Sequence, residues 1–231
     1  MRIVVVPAYN EAISIANVIK ESLKHSSKVI VVDNNSSDNT FQVAESNGAE
    51  VIECDIQGAG AATRFGIAHA LKYNLSAIVT IDSDGQHDPS EIDKVCEPIE
   101  KDLADVVIGS RFLSDGDMPR YRKLGNDIIS IDYNYYSETR IRDTQSCFRA
   151  FTRDIASRIV LTEDGFGFST EFLIKARKLG ARIVEVPIKC IYFDDFAQNS
   201  TLNPVKHVVN VLMKTEKWRM KEDFWSMLKK I

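Results

Sequence analysis

The stretch Ala77-Ile78-Val79-Thr80-Ile81-Asp82-Ser83-Asp84 combines an apolar run with two carboxylates one residue apart. An apolar run of this length, rich in β-branched residues, predicts a buried strand. Asp82 and Asp84 then lie where the strand ends, and their oxygens suit a hard divalent cation. The alternative is a turn rich in Asp and Gly, because Gly85 follows directly. The pair alone does not separate a metal site from a turn, so the remaining sequence has to decide.

Similar apolar runs alternate with helical patterns along the chain. This alternation predicts an α/β fold, with a mostly parallel sheet and helices on both faces. Beyond residue 110 the helical stretches lengthen, and loops break them at 114–119 and 140–146. The predicted strands are Arg2–Val6, Lys28–Val32, Glu50–Glu53, Ala77–Ile81, Asp105–Ile108 and Arg182–Val186, and the predicted helices are Glu11–Lys24, Thr40–Asn47, Ala59–Tyr73, Pro89–Lys101, Arg153–Leu161, Ser169–Leu179 and one after Pro204.

Composition predicts a soluble cytoplasmic protein, or one bound peripherally at the cytoplasmic face of a membrane. The chain has 231 residues, of which 44% are hydrophobic, enough for one domain with a full core. Its four cysteines form no Cys-x-x-Cys pair, which indicates reduced thiols. No apolar run reaches the roughly 18 residues of a membrane span, and the N-terminal run is too short for a signal peptide.

Charge is uneven along the chain. Residues 201–231 carry seven Lys or Arg against three Asp or Glu, a net charge of +4. The whole chain has a net charge of −4, so residues 1–200 carry a net charge of −8. An acidic body without clustered Lys and Arg excludes a nucleic-acid partner, because phosphate backbones need basic patches.

Polar residues gather where the predicted strands end. In parallel sheets, ligands bind outside the carboxyl ends of the strands. The polar segments there are 7–11, 33–40, 82–89 and 109–112.

Together with Gly58-Ala59-Gly60 and the segment 143–149, these motifs resemble a family 2 glycosyltransferase of the GT-A fold. Within that family the chain is most similar to the polyprenyl-phosphate sugar synthases of the dolichol-phosphate mannosyltransferase group. The resemblance implies a Rossmann-like GT-A domain over residues 1–203. It also implies an inverting transfer of a sugar from a GDP-mannose or UDP-glucose type donor to a polyprenyl (dolichyl) phosphate.

The donor site that the resemblance implies lies on the first four strand ends, with Tyr9 and Asp33 near the base and ribose. Asn34 stands where the family has Asp, and its amide donor predicts an altered base preference. Some of these residues also have structural explanations: Asn10 can cap a helix, and the Gly-x-Gly segment can begin one. The implied donor residues are Pro7, Ala8, Tyr9, Glu11, Asp33, Gly60, Arg64, Asp82, Ser83 and Asp84.

The implied cofactor is Mg²⁺ or Mn²⁺, held by Asp82, Asp84 and Gln86, with Asp84 as the direct ligand. The cation would stabilise the nucleoside diphosphate leaving group. His87 is a further candidate ligand, and the alternative for a lone His in a polar loop is a solvated or hydrogen-bonded side chain.

On the acceptor side the resemblance implies catalytic roles for Arg111, Asp143 and Gln145, and acceptor binding by Arg111, Arg120 and Arg122. A guanidinium suits phosphate because it donates two parallel hydrogen bonds. The alternative for Arg111 is an ion pair with the acidic body. Cys147 stands where the family has Gly, which predicts a reshaped turn.

Two departures from the family leave the acceptor open. After Pro187 the family commonly has another Arg and a Ser-Lys-Leu, where this chain has Phe193-Asp194-Asp195-Phe196 and Ser200-Thr201-Leu202. The family commonly has a phosphate-binding Arg at position 127, where this chain has Asp127. The alternatives are a hydroxyl acceptor on a soluble or glycan substrate, with Asp143 as the base, or a non-catalytic nucleotide-sugar binding subunit.

Residues 204–231 combine basic and apolar residues at helical spacing. This basic amphipathic helical tail predicts contact with an anionic leaflet or a membrane partner. The alternative is a helix packed on the body or in a homodimer.

Overall fold

The computed structural model describes residues 1–114, 120–135, 137, 140–191 and 204–228. Its centre is a seven-stranded sheet with strand order β3-β2-β1-β4-β6-β5-β7. Within these strands apolar residues follow one another without alternation, as in β1, where Ile3 to Val6 are all buried, because both sheet faces are covered. The strands are β1 Arg2–Ala8, β2 Lys28–Asp33, β3 Glu50–Glu53, β4 Ala77–Thr80, β5 Val106–Ser110, β6 Arg149–Thr152 and β7 Ile183–Pro187.

The predicted α/β fold with a mostly parallel sheet is confirmed, with one addition. β6 runs antiparallel between β4 and β5, pairing Thr80 with Arg149 and Ile108 with Arg149. The sequence did not indicate this strand, because it has four residues and begins with a charged side chain.

Helices cover both faces of the sheet, as predicted. One apolar cluster buries residues of α1, α2 and α4 against the sheet, and a second buries residues of α3, α6 and α7 on the opposite face. The predicted helix over Pro89–Lys101 begins as a 3-10 turn at Pro89–Glu91. The helices are α1 Ile15–His25, α2 Thr40–Ser46, α3 Ala59–Ala70, α4 Ile92–Glu100, α5 Arg120–Tyr135, α6 Arg153–Arg158, α7 Phe168–Lys178 and α8 Pro204–Leu228.

The final helix, α8, packs against α5 and α7. Trp218 and Val211 are buried there, and Thr215 Oγ1 lies 3.0 Å from Thr170 Oγ1 on α7. A Cβ added to Gly125 on α5 would lie 3.0 Å from Val208 Cγ2, so the two helices approach closely. One face of the tail therefore packs on the body. Within the described ranges, no helix is both long and apolar enough to cross a membrane.

Candidate active site

The loops after β1 and β2 are joined by short polar side chains. Asn10, in a left-handed conformation with φ of 58°, accepts a hydrogen bond from Ser37 N at 2.7 Å. Thr40 Oγ1 accepts one from Glu11 N at 2.8 Å. The expectation that Asn10 caps a helix is wrong, because α1 begins four residues later than Glu11, after Ser14. Asn10 instead fixes the first loop against the second.

Asn34 has a structural role that the sequence did not indicate. Its amide nitrogen donates to the carbonyls of Cys54 at 2.8 Å and Ile56 at 2.7 Å, and its amide oxygen accepts from Gly58 N at 2.8 Å. The side chain is therefore engaged by the loop after β3. The amide gives no support to the expected change of base preference, because both donors already have partners.

Asp33 ends β2 and is buried. Its Oδ2 accepts a hydrogen bond from Ser36 N at 3.2 Å, whereas its buried Oδ1 has no hydrogen-bond partner among the described residues. A buried carboxylate oxygen without a donor is costly, and a ligand hydroxyl or N–H would satisfy it. Tyr9, at the end of β1, is about half exposed at 53%, and Pro7 and Ala8 precede it in the strand.

The start of α3 packs against residues 163–165. A Cβ on Gly60 would lie 2.3 Å from the carbonyl oxygen of Glu163, and Gly60 N donates to Asp164 O at 2.8 Å. Gly58 is left-handed, with φ of 130°. Close backbone approach and a helix start therefore account for both glycines without a ligand. Arg64, one turn further, pairs with Asp164 at 2.8 Å.

Asp82 and Asp84 follow β4 directly. Loss of solvation, and next the charge of Asp84, raise the pKa of Asp82 to about 7, although its side chain keeps 35% exposure. Burial raises the pKa of Glu11, with a further contribution from Asp84. Asp84 Oδ1 accepts a hydrogen bond from Gln86 N at 2.9 Å, which shapes the turn. Ser83, between the two aspartates, is buried. The loops after β1 and β4 thus bring three carboxylates within electrostatic reach of one another.

This donor set fits a divalent cation. Mutual repulsion between carboxylates raises their pKa, and a cation bound by both removes the repulsion. The part of the chain that the structure describes contains no group of three or more His, Cys, Asp or Glu arranged to hold a metal. A cation here would therefore be held by Asp82, Asp84 and Gln86, and oxygen atoms of a ligand would complete its coordination.

His87 differs from the solvated or hydrogen-bonded side chain that is usual in a polar loop. It is buried at 2% exposure, and neither ring nitrogen has a hydrogen-bond partner among the described residues. Burial, followed by the charge of Arg111, lowers the pKa of His87 to about 3, so the ring is neutral. It packs on the ring of Phe148, with centroids 5.7 Å apart, and its Nδ1 lies 3.5 Å from Asp82 Oδ2. The solvated or hydrogen-bonded alternative is wrong, and metal ligation stays a prediction.

Arg111 and Asp143 form a bidentate ion pair. Arg111 Nε donates to Asp143 Oδ2 and Nη2 to Oδ1, both at 2.8 Å, and Arg111 N donates to Oδ2 at 3.0 Å. Burial alone would raise the pKa of the fully buried Asp143, but the charge and hydrogen bonds of Arg111 outweigh it and hold that pKa below its ordinary value. Both oxygens have partners, so Asp143 is a poor proton acceptor in this arrangement. A role for Asp143 as the base toward a hydroxyl acceptor stays a prediction, and this pairing does not support it.

Two charged residues that the sequence did not indicate support this pair. Glu185, on β7, accepts hydrogen bonds from Arg142 N at 2.8 Å and Asp143 N at 2.9 Å. Arg149, at the start of β6, is 2% exposed and donates to the carbonyls of Ser146, Ser169 and Thr144 at 2.7 to 3.0 Å. A signal exists for both: each is a single charge inside an otherwise apolar run.

The remaining acceptor-side predictions have mixed outcomes. Gln145 Nε2 lies 3.4 Å from Thr144 Oγ1, in the same loop as Asp143. Cys147 has no left-handed backbone, so its turn does not require glycine. Arg120 and Arg122 begin α5, but their side chains lie outside the described residues. Their acceptor role stays a prediction.

The fold, with carboxylates at the ends of its strands, is accompanied by sequence similarity to known proteins. Residues 3–160 match the family described as Glycosyl transferase family 2. The chain belongs to this family and is a glycosyltransferase.

Relatives and one solved structure extend the comparison. The chain is 33% identical over 214 residues to the UDP-N-acetylglucosamine--dolichyl-phosphate N-acetylglucosaminyltransferase of Methanococcus voltae, covering 81% of this chain and 84% of that protein. It is 29% identical over 199 residues to the undecaprenyl-phosphate mannosyltransferase of Micrococcus luteus, covering 80% and 81%. The fold is also similar to that of glucosyl-3-phosphoglycerate synthase from Mycobacterium tuberculosis, crystallised with Mn²⁺, UDP and phosphoglyceric acid. That similarity has a TM-score of 0.72 at 20% identity and covers 93% and 78% of the two chains. The fold is therefore the GT-A fold.

Proposed function

We propose that this glycosyltransferase moves a sugar from a nucleotide-sugar donor to the phosphate of a polyprenyl lipid. The observation that carries the proposal is the pairing of Arg111 with the buried Asp143. A hydroxyl acceptor needs a base to remove its proton during attack. Asp143 has a lowered pKa and two occupied oxygens, so it is a poor base.

A phosphate acceptor needs no such base. The second pKa of a phosphate monoester is about 6, so its oxygens are ionised near neutral pH. Such a nucleophile has to be positioned, and fixed cations do this. In this proposal Asp143 holds the Arg111 guanidinium in one orientation, in which its positive charge would help to bind the acceptor phosphate. Arg120 and Arg122 at the start of α5 would bind the same acceptor.

The lipid class follows from the names of the relatives, two of which use dolichyl phosphate or undecaprenyl phosphate. These names also differ in the sugar, so a UDP-sugar and a GDP-sugar both stay candidates for the donor. Asp33 would accept a hydrogen bond from the base or ribose through its unpartnered oxygen. Tyr9 would cover the same part of the nucleotide, since its ring is exposed at the end of β1.

The proposed cofactor is Mg²⁺ or Mn²⁺ at Asp82, Asp84 and Gln86. When bound, the cation supplies positive charge to the diphosphate leaving group. Ser83 and the ends of β1 and β4 would orient the diphosphate so that the anomeric carbon faces the acceptor side. Attack from that side, opposite the nucleotide, inverts the configuration at the anomeric carbon.

A second candidate is transfer to a hydroxyl. Asp127, half-buried on α5, favours it because a carboxylate repels a phosphate at a position where the family commonly has an arginine. Another group would then have to act as the base.

A matched pair of acceptors separates the two candidates. The purified chain is incubated with UDP-N-acetylglucosamine, UDP-glucose or GDP-mannose, with Mg²⁺ or Mn²⁺, and with either a short polyprenyl phosphate or the polyprenol of equal length. We expect a glycolipid only from the phosphate, with one donor clearly preferred and with no product in excess EDTA. Product from the alcohol alone would overturn the lipid-phosphate proposal in favour of the hydroxyl acceptor.

A further inference from the structure

Helix α5 carries an exposed apolar stripe. Leu124, Ile128 and Ile131 follow one another at intervals of four and three residues and are 40% to 67% exposed. This spacing puts them on one side of the helix. Tyr121 and Tyr135, both at least half exposed, extend the stripe by one turn at each end. The opposite side of α5, with Ile129 and Tyr133, is buried.

Helix α8 carries a second stripe of the same kind. Val209, Met213 and Met220 are 49% to 68% exposed and share one side of the helix, whereas Val211 and Trp218 on the other side are buried. Of the 19 large hydrophobic side chains that are exposed among the described residues, nine lie on α5 and α8. Single exposed apolar residues are ordinary, but this concentration on two adjacent helices is not.

The two stripes form one surface. Gly125 of α5 lies against Val208 of α8, and Asp132 O of α5 accepts a hydrogen bond from Arg219 of α8 at 2.7 Å. The contacts advance together along both sequences, so the helices run parallel. At 100° per residue, the α5 stripe begins next to the side of α5 that contacts α8, and the α8 stripe begins next to the side that contacts α5. Both stripes therefore face away from the body of the protein, on either side of the line along which α5 and α8 meet. We call this surface the α5–α8 apolar face.

The charges beside this face are basic. Residues 205–221 carry five Lys or Arg against one Glu. That Glu216 pairs with Arg219. Lys206, Lys217 and Lys221 are exposed on α8. The ammonium groups of Lys217 and Lys221 lie 5.5 and 4.7 Å from the centroid of the Trp218 ring, at the edge of the helix beyond its apolar stripe. An apolar strip with lysines along one edge and tyrosines at its ends matches the layers of a lipid leaflet with anionic headgroups.

We propose that the α5–α8 apolar face docks on the surface of an anionic lipid leaflet. The apolar side chains enter the boundary between headgroups and acyl chains, and the lysines pair with the headgroups. The inference rests on the proposed function in one respect, because a polyprenyl phosphate acceptor resides in a membrane.

The position of α5 places the docking surface beside the acceptor side of the site. Ser130 Oγ on α5 donates to Arg142 O at 3.0 Å and lies 3.0 Å from Thr144 Oγ1. Helix α5 therefore backs the loop that holds Asp143. A leaflet against its outer side would lie beside the acceptor half of the site, so the lipid phosphate could be presented there without leaving the membrane.

The test is flotation of the full chain with vesicles of phosphatidylcholine, with and without phosphatidylglycerol. We expect the wild-type chain to bind the anionic vesicles. Leu124→Gln combined with Ile131→Gln should lower the partition coefficient at least about tenfold, because both side chains lose their apolar contact with lipid. The matched control is Leu103→Gln with Val160→Gln, two side chains of similar exposure away from α5 and α8. It should bind as the wild type does.

A charge test uses Lys217→Gln and Lys221→Gln. Each should lower binding to anionic vesicles about fivefold and leave binding to neutral vesicles unchanged. Lys20→Gln with Lys24→Gln, on the exposed side of α1, is the control and should have no effect. Equal binding by the wild type and the Leu124/Ile131 variant would overturn the proposal. The proposal would also be overturned if the wild type did not bind vesicles and instead formed a dimer in solution that the Leu124/Ile131 substitutions dissociate.

Turnover separates this inference from the proposed function. The Leu124/Ile131 variant should keep wild-type transfer to a short, water-soluble polyprenyl phosphate and lose transfer to a long one in vesicles. Transfer to the short acceptor by a wild-type chain that does not bind vesicles would leave the proposed function intact and overturn the docking. Vesicle binding through this face without transfer to any polyprenyl phosphate would support the docking and overturn the proposed function.

Discussion

The donor side and the acceptor side of the site are held together in different ways. On the donor side, neutral amide and hydroxyl groups such as Asn10, Asn34 and Thr40 tie loops of adjacent parallel strands together. On the acceptor side, an ion pair between the partly buried Arg111 and the buried Asp143 connects β5 to the loop before β6. A neutral hydrogen bond contributes about 1 kcal/mol, whereas removing one partner of a buried ion pair costs about 3 to 5 kcal/mol. Substitutions should therefore cost more stability on the acceptor side than on the donor side, whereas catalysis should suffer most wherever a charged side chain would contact a ligand.

The largest effect is expected at Asp84. Asp84→Ala removes the carboxylate best placed to bind the cation, so kcat/KM should fall by about 10³-fold or more with little change in stability. Calorimetric titration with Mn²⁺ should show binding lost together with activity. Asp88→Asn, four residues further and engaged with Ser90 N, is the control and should stay near wild type. Metal-dependent turnover by Asp84→Ala would show that the cation does not depend on the Asp84 carboxylate.

Asp143→Asn comes next. The variant leaves Arg111 without its carboxylate, so we expect a loss of about 3 kcal/mol in unfolding free energy and about 100-fold in kcat/KM. Because the folded pKa of Asp143 lies below the ordinary value of 3.8, its contribution to stability is present above that pH and is lost as pH falls through the folded pKa. Denaturation of wild type and variant should therefore converge only in acid.

The shape of the pH–rate profile tests the positioning role of Asp143. If Asp143 only positions Arg111, wild type and Asp143→Asn should show the same profile between pH 6 and 9, displaced in rate. A general base that titrates between pH 6 and 9 would need its pKa raised into that range by bound substrate, and the wild type would then show a limb that the variant lacks.

A smaller effect is expected at Gly60. Its Cβ position lies 2.3 Å from the Glu163 carbonyl oxygen, so Gly60→Ala must displace backbone and should cost about 2 to 3 kcal/mol. Chemical denaturation measures this cost. Gly48→Ala is not a suitable control because Gly48 is left-handed, but Gly165→Ala is, since its nearest neighbour would lie 3.8 Å away. Unchanged stability in Gly60→Ala would show that the start of α3 is not fixed by this contact.

The smallest effect is expected at Asn34. Asn34→Asp introduces the residue usual in the family, but a carboxylate cannot donate to the Cys54 and Ile56 carbonyls. We expect a loss of about 1 to 2 kcal/mol and no change in the order of nucleotide affinities, measured by thermal shift. Asn35→Asp, at the exposed neighbouring position, should change neither the stability nor the order of nucleotide affinities. A changed base preference in Asn34→Asp alone would restore the role that the sequence predicted.

Local sequence patterns predicted the strands, loops and helices that form the site, whereas they did not predict the contacts between residues far apart in the sequence. The strand ends, the order of motifs and the helices on both faces follow from apolar runs and loop chemistry, so Asp33, Asp82 and Arg111 were predicted to lie at strand ends, where the structure has them. The ion-pair alternative for Arg111 is also what the structure contains. Glu185 was missed because its partners lie 42 and 43 residues away, and Arg149 because one of its three partners, Ser169, lies 20 residues away. No spacing rule connects such positions in one sequence.

The antiparallel β6 has a consequence for synthesis of the chain. β3, β2, β1 and β4 lie together at one end of the sheet and are complete once residue 80 has been made. The free edge of β4 is covered only by residues 149–152, so it stays open while about 70 more residues leave the ribosome. An open edge of Ala77, Ile78 and Val79 invites pairing with other nascent chains. Truncated products that end before β6 should therefore aggregate, even though they contain every donor-side motif.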